Sequence, residues 1–149
     1  MMAGIRRQEG MASVEFAFLA AALMLVLFGI VELGRTLFVL NALTESSRRG
    51  ARMAAVCSLN DPAIAQSAVF DGAAIVPQLT TDHINVQYLD EASAPTGAFS
   101  QIRYVRVSIE GYRHRLLIPF LSLDFNSPDL AATLPRESLG WVEDGFQPC

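Results

Sequence analysis

The chain has 149 residues, one domain's worth, of which 52% are apolar, and a net charge of −4. All of its cations are arginine, and no basic face extends beyond a short Arg cluster, so the electrostatic footprint of nucleic-acid binding is missing. Two cysteines without paired Cys/His spacing do not make up the ligand set of a metal site.

In chain order, residues 1–10 are short and polar, carry Arg6 and Arg7, and end at Gly10. Phe16 to Val31 then reads FAFLAAALMLVLFGIV without a charge, and Glu15 sits at its lip. Met11 to Val31 makes about 31 Å of helix, the thickness of a hydrocarbon core of about 30 Å. A carboxylate carried to the bilayer centre costs roughly 2.5–3.5 kcal/mol on insertion scales, so an acid at this place calls for a partner. Arg6 and Arg7 on one side, against only Arg35 close by on the other, favour a cytoplasmic N-terminus.

Helix signals continue beyond the apolar run. Thr36 to Val56 contains no proline, and Leu37, Leu40, Leu43, Ala51, Ala54 and Ala55 form a weak stripe. Glu45 to Arg49 is a favourable four-residue step and Arg48 to Arg52 a mildly repulsive one. Gly50 costs about 1 kcal/mol in a helix and suggests a local bend. The helix is expected to end near Cys57, after about 47 residues and 70 Å.

Asp61-Pro62 starts a second helix, with Asp at the N-cap and Pro at the first position; it is expected over 63–76, ended by Pro77. His83 to Leu89 alternates as a strand, 90–100 is turn-rich, and Ile102 to Ile109 alternates again. Gly111 suggests a bend, and 113–118 pairs with or extends the preceding strand. Pro119-Phe120-Leu121 suggests a short turn. Residues 130–142 read as a last edge strand, since Pro135 is tolerable only at an edge. The fold class is therefore α+β: a long N-terminal transmembrane and stalk helix, then a small head with a short helix and an antiparallel sheet.

The residues offer little for catalysis. Ser13, Ser46 and Ser138 have no nucleophile-elbow frame, and no glycine-rich phosphate loop is present. His83 and His114 are isolated and read as ordinary strand residues. Glu32 and Arg35 form an i,i+3 pair at the far interface. Arg48, Arg49 and Arg52 read as a solvated helix face. The expectation is a protein that is not an enzyme, with no cofactor, no metal and no small-molecule substrate.

Arg6, Arg7, Gly10, Glu15 at the fifth position after it, and Phe16 resemble the signal of Flp-type pilins. The stretch beyond Phe16 is similar to the TadE-like family of tight-adherence (Tad) pilus proteins: Phe28-Gly29-Ile30, Glu32, Gly34-Arg35, then Ala42-Leu43-Thr44 and Arg49-Gly50-Ala51-Arg52. Leu134-Pro135-Arg136-Glu137-Ser138-Leu139 is also similar to that group. Many members have a proline in the apolar run where this chain has Ala20-Ala21-Ala22. Type II secretion pseudopilins differ more, with Phe directly after the cut and a Thr-Leu-Ile/Leu-Glu run in place of Met11 to Glu15.

The resemblance implies three segments: a prepilin-type leader over 1–10, a transmembrane and stalk helix over 11–57, and a periplasmic α+β head over 58–149. It implies cleavage between Gly10 and Met11 by a prepilin peptidase. Glu15 and Phe16 then serve recognition and assembly, Glu15 pairing with the free amine of a neighbouring subunit. Glu32 and Arg35 become contacts to partner subunits or to the platform. The implied function is a minor pilin or pseudopilin of the Tad/Flp pilus, single-pass in the bacterial inner membrane, with other Tad pilins and the assembly platform as partners. The alternative is a single-span membrane protein with a periplasmic binding head that never polymerises. In an oxidising compartment Cys57 and Cys149 form one disulfide, closing a loop of about 93 residues; otherwise they are two free thiols.

Overall fold

The structure is a computed structural model that describes residues 6–117 and 124–149; the side chains before residue 10 and that of Phe125 lie outside the description. Helix α1 runs from Arg6 to Val56 without a break. Its span-length apolar segment is unburied among the described residues, with Phe16, Phe18 and Leu25 each 70% exposed or more. Its second half is one wall of the head.

That wall is built from small residues. Val39, Leu43, Ser46, Ser47, Gly50, Ala51, Ala54 and Ala55 are buried, so the expected stripe faces the head at Leu43, Ala51, Ala54 and Ala55 and departs from it at its lower end. Leu37 is exposed and Leu40 half-buried. The helix runs through Gly50 without a break. A Cβ there would lie 2.9 Å from Val107 Cγ1 and 3.1 Å from the Ala68 Cβ, so glycine lets the sheet and the second helix close onto α1. Arg49 pairs with Asp71 at 3.5 Å, across the head, and not with Glu45 on its own helix.

The short helix α2 spans Pro62–Ala68. Asp61 caps it as expected, its carboxylate accepting the Ala63 N–H at 2.9 Å. It stops well short of the expected 76. Phe70 and Asp71 take left-handed backbone angles, φ 61° and 54°, which throws Phe70 into a cluster with Val39, Leu43, Val76, Ile109 and Tyr112. Arg49 lies over the Phe70 ring, 5.2 Å from its centroid. Burying a Phe is worth roughly 1.5–3 kcal/mol, which offsets a backbone cost of order 1–3 kcal/mol per strained residue.

Three strands form the main sheet in the order β1(Ile84–Leu89), β2(Tyr104–Ile109), β5(Leu130–Pro135), antiparallel throughout. Val105, Val107 and Ile109 of the central strand are buried, while Tyr104 and Arg106 face outward. Pro135 lies on β5, an edge strand, opposite Tyr104, where its missing N–H is harmless. A second pair joins β3(Arg113–Arg115) to β4(Asp124–Asn126). A small hairpin joins β6(Trp141–Val142) to β7(Gly145–Phe146). The expected α+β architecture holds.

Two boundaries differ from expectation. His83 belongs to a 3-10 turn before β1, its Nδ1 accepting the Thr80 N–H at 3.1 Å. Residues 130–142 are not one strand: Leu139 and Gly140 take left-handed φ values of 48° and 76°, and the chain turns away from the sheet. The turn expected at 119–121 lies outside the described residues.

Candidate assembly helix and membrane junction

The sequence-predicted residues fall at three levels along α1. At the lowest, Gly10, Met11, Glu15 and Phe16 are all exposed, with Met11 at 74% and Phe16 at 72%. They stand on one uninterrupted helix, so the carboxylate of Glu15 and the Gly10–Met11 bond are held about one to two helical turns apart.

The middle level is where α1 meets the head. Arg35 grips Glu32 through two hydrogen bonds, Nη2 to Oε1 at 2.6 Å and Nε to Oε2 at 3.2 Å. Both also reach the second sheet. Glu32 Oε1 accepts the Leu117 N–H at 3.2 Å, and Arg35 donates to the Arg115 carbonyl. One turn higher, Thr36 Oγ1 lies 3.4 Å from His114 Nε2. Even a surface ion pair contributes only about 0–1 kcal/mol; this part-buried one clamps the end of β3 onto the helix where the apolar run stops. The i,i+3 spacing is readable from the sequence, but the β3 backbone as third party is not, since it lies about 80 residues away.

His114 is buried, 3% exposed, beneath the strand. Burial holds its pKa below the usual histidine value; Arg35 pushes the same way and Glu32 partly opposes. Nearby, Tyr112 donates its hydroxyl to the Pro77 carbonyl at 3.0 Å. Burial raises the Tyr112 pKa.

The third level is the top of α1. Cys57 and Cys149 form a disulfide, Cα atoms 5.5 Å apart. The Cys149 N–H donates to Asp61 Oδ2 at 2.9 Å, so one carboxylate caps α2 and holds residue 149. Those backbone donors, from Ala63 and Cys149, keep the Asp61 pKa below the usual value. The last carbonyls of α1 are met by the 137–140 segment: Ala55 accepts from the amides of Glu137 and Leu139, and Val56 from the Ser138 hydroxyl at 3.0 Å. Helix ends leave such carbonyls without internal partners.

Among the described residues no cluster of His, Cys, Asp and Glu assembles a metal site. Arg48 and Arg52 are exposed.

A long apolar helix that leaves its lower half bare and builds its upper half into an α+β head defines a helix-anchored head protein. Residues 10–52 match the family described as TadE-like protein. The match covers α1 from Gly10 to Arg52 and none of the sheet. Comparison with curated proteins and with solved structures found no match. By length and composition, α1 is long and apolar enough to cross a membrane.

Proposed function

We propose that this protein is a minor pilin or pseudopilin required for assembly of a Tad/Flp-type adhesive pilus. It is inserted in the bacterial inner membrane by α1, with the head in the periplasm, and a prepilin peptidase cuts it after Gly10. It is a substrate of that enzyme and no enzyme itself. Its partners are other pilins and the assembly platform.

The observation that carries the reading is Glu15, exposed five residues after Gly10 on a bare apolar helix inside the TadE-like match. A carboxylate at that depth is tolerated when paired. Cleavage after Gly10 creates the amine that can pair with it on a neighbouring subunit. The reading is also supported above the apolar run: Leu33, Leu37 and Phe38 are 61%, 52% and 57% exposed, an outer α1 face that adjacent subunits would cover.

The test is Glu15→Ala with membrane levels held equal. Insertion should survive, because removing the charge eases partitioning. Pilus numbers by electron microscopy should collapse, because breaking a buried pair costs roughly 3–5 kcal/mol. Normal piliation would favour the non-polymerising, single-span alternative. Mass spectrometry of the membrane-extracted protein should find Met11 as the first residue, and Gly10→Val should block the cut. Intact Met1 or Met2 in cells that have the peptidase would sink the processing step.

A further inference from the structure

We propose that the β3 end of the head is a second membrane contact, lying in the lipid headgroup layer beside the point where α1 leaves the bilayer. The inference rests on the reading of α1 as a membrane span.

The apolar run ends at Val31 and the first charge after it is Glu32. With about 30 Å of hydrocarbon filled by Met11 to Val31, Glu32 lies at the headgroup boundary. The strand is tied to that level and not above it. Going along the chain, His114 contacts Thr36, Arg115 contacts Arg35, and Leu117 contacts Glu32. β3 therefore runs down α1 toward the bilayer, and Leu117 arrives beside the last residue of the apolar run.

Leu117 is 67% exposed there. A large apolar side chain open to solvent is common enough alone, but this one is placed by a backbone bond to Glu32, at the level where α1 exposes Val31 and Leu33. Arg113 and Arg115 are exposed, two residues apart on one face of β3. Arginine above an apolar contact is the arrangement of interfacial segments, with the guanidinium groups among the phosphates. Asp124 stands opposite Arg115 in the pair and Asn126 opposite Arg113, so Arg113 is the cation whose cross-strand neighbour carries no charge.

The experiment uses the full chain in nanodiscs made with brominated phosphatidylcholine, which quenches indole fluorescence on contact. The chain has one tryptophan, Trp141, in the β6–β7 hairpin. In a Trp141→Phe background, Leu117→Trp places the probe at the junction and Phe18→Trp places it in the span. Formation of the Cys57–Cys149 bond serves as the folding check. Emission from both variants should fall at least two-fold in brominated discs relative to ordinary ones, while the unaltered protein, reporting from Trp141, should not change. Arg113→Gln together with Arg115→Gln should weaken the quenching at Leu117→Trp and leave that at Phe18→Trp intact. Quenching at Phe18→Trp alone overturns the inference and leaves the span standing. No quenching at either site overturns the span itself. Emission at Leu117→Trp that ignores bromine and changes with protein density overturns the inference in favour of a contact between copies.

Discussion

The backbone amide of Gly140 donates to the carbonyl of Val56 at 2.6 Å. It is the closing bond of a cap in which residues 137–140 satisfy the end of α1. The same glycine takes φ +76°, and a Cβ on it would lie 2.7 Å from both the Cα and the N of Ser58. The chain passes the helix end with no room for a side chain.

Gly140→Ala should therefore destabilise the head by roughly 2–4 kcal/mol, combining left-handed strain with a clash against backbone that cannot rotate away. Urea titration in detergent measures it. A loss below about 1 kcal/mol would mean that the segment shifts freely off α1.

Gly50 is the second close approach, and there the neighbours are side chains. Gly50→Leu should cost about 1–3 kcal/mol by overpacking against Val107 and Ala68. Gly50→Ala should cost much less, because the better helix propensity of alanine returns about 1 kcal/mol. Val107→Ala in the Gly50→Leu background should recover part of the loss; no recovery would place the clash elsewhere.

Cys149→Ser should lower stability by about 2–4 kcal/mol, below the chain-entropy ceiling of ~4–5 kcal/mol for a loop of this length. Reductant should shift the urea midpoint of the natural protein and leave that of the variant in place. Equal sensitivity of the two would show that the bond does not form in the membrane-extracted protein.

The β3 clamp should weaken in acid. His114 is buried with its pKa lowered, chiefly by burial. The unfolded chain then binds a proton more readily than the folded one. Its contribution is present above the unfolded value of about 6.5 and is lost as pH falls through the lower folded value. Thr36, Arg35 and Glu32 of α1 are among the groups facing it. Hydrogen exchange at the Leu117 amide, followed from pH 7.5 to 5, should show protection declining below about 6.5. In His114→Gln that decline should vanish.

Features that depend on near neighbours are legible in the sequence. The apolar run, the Asp61-Pro62 helix start, the alternation read over 83–89 and 102–109 and the edge placement of Pro135 are short-range signals, and each is found in the structure, the two strands at 84–89 and 104–109. The TadE-like resemblance is carried by contiguous residues and is matched over 10–52. The differences between expectation and structure share one cause. α2 is shorter than its local signals suggest because the pull on Phe70 comes from Val39, Leu43 and Tyr112, far away in sequence. Gly50 suggests a bend to a local reading because its meaning depends on Val107. The last strand stops before 142, and nothing local says that 137–140 must cap a helix ending at Val56. At the membrane junction, Glu32 and Arg35 stand out by their spacing, but their hold on Leu117 and Arg115 spans some 80 residues and leaves no pattern to read.

The cross-link at the top of α1 also sets how the head bears load. Between Cys57 and Cys149 the polypeptide is a closed ring fastened at one point, with its two Cα atoms 5.5 Å apart. A tug on any strand of the ring reaches the helix through two covalent arms instead of one, so tension is shared. The head cannot be peeled away from its β6–β7 hairpin side while the helix stays put. A head stapled this way hands an external pull to α1 as a unit, and the part of the molecule asked to yield is the bare lower half of that helix.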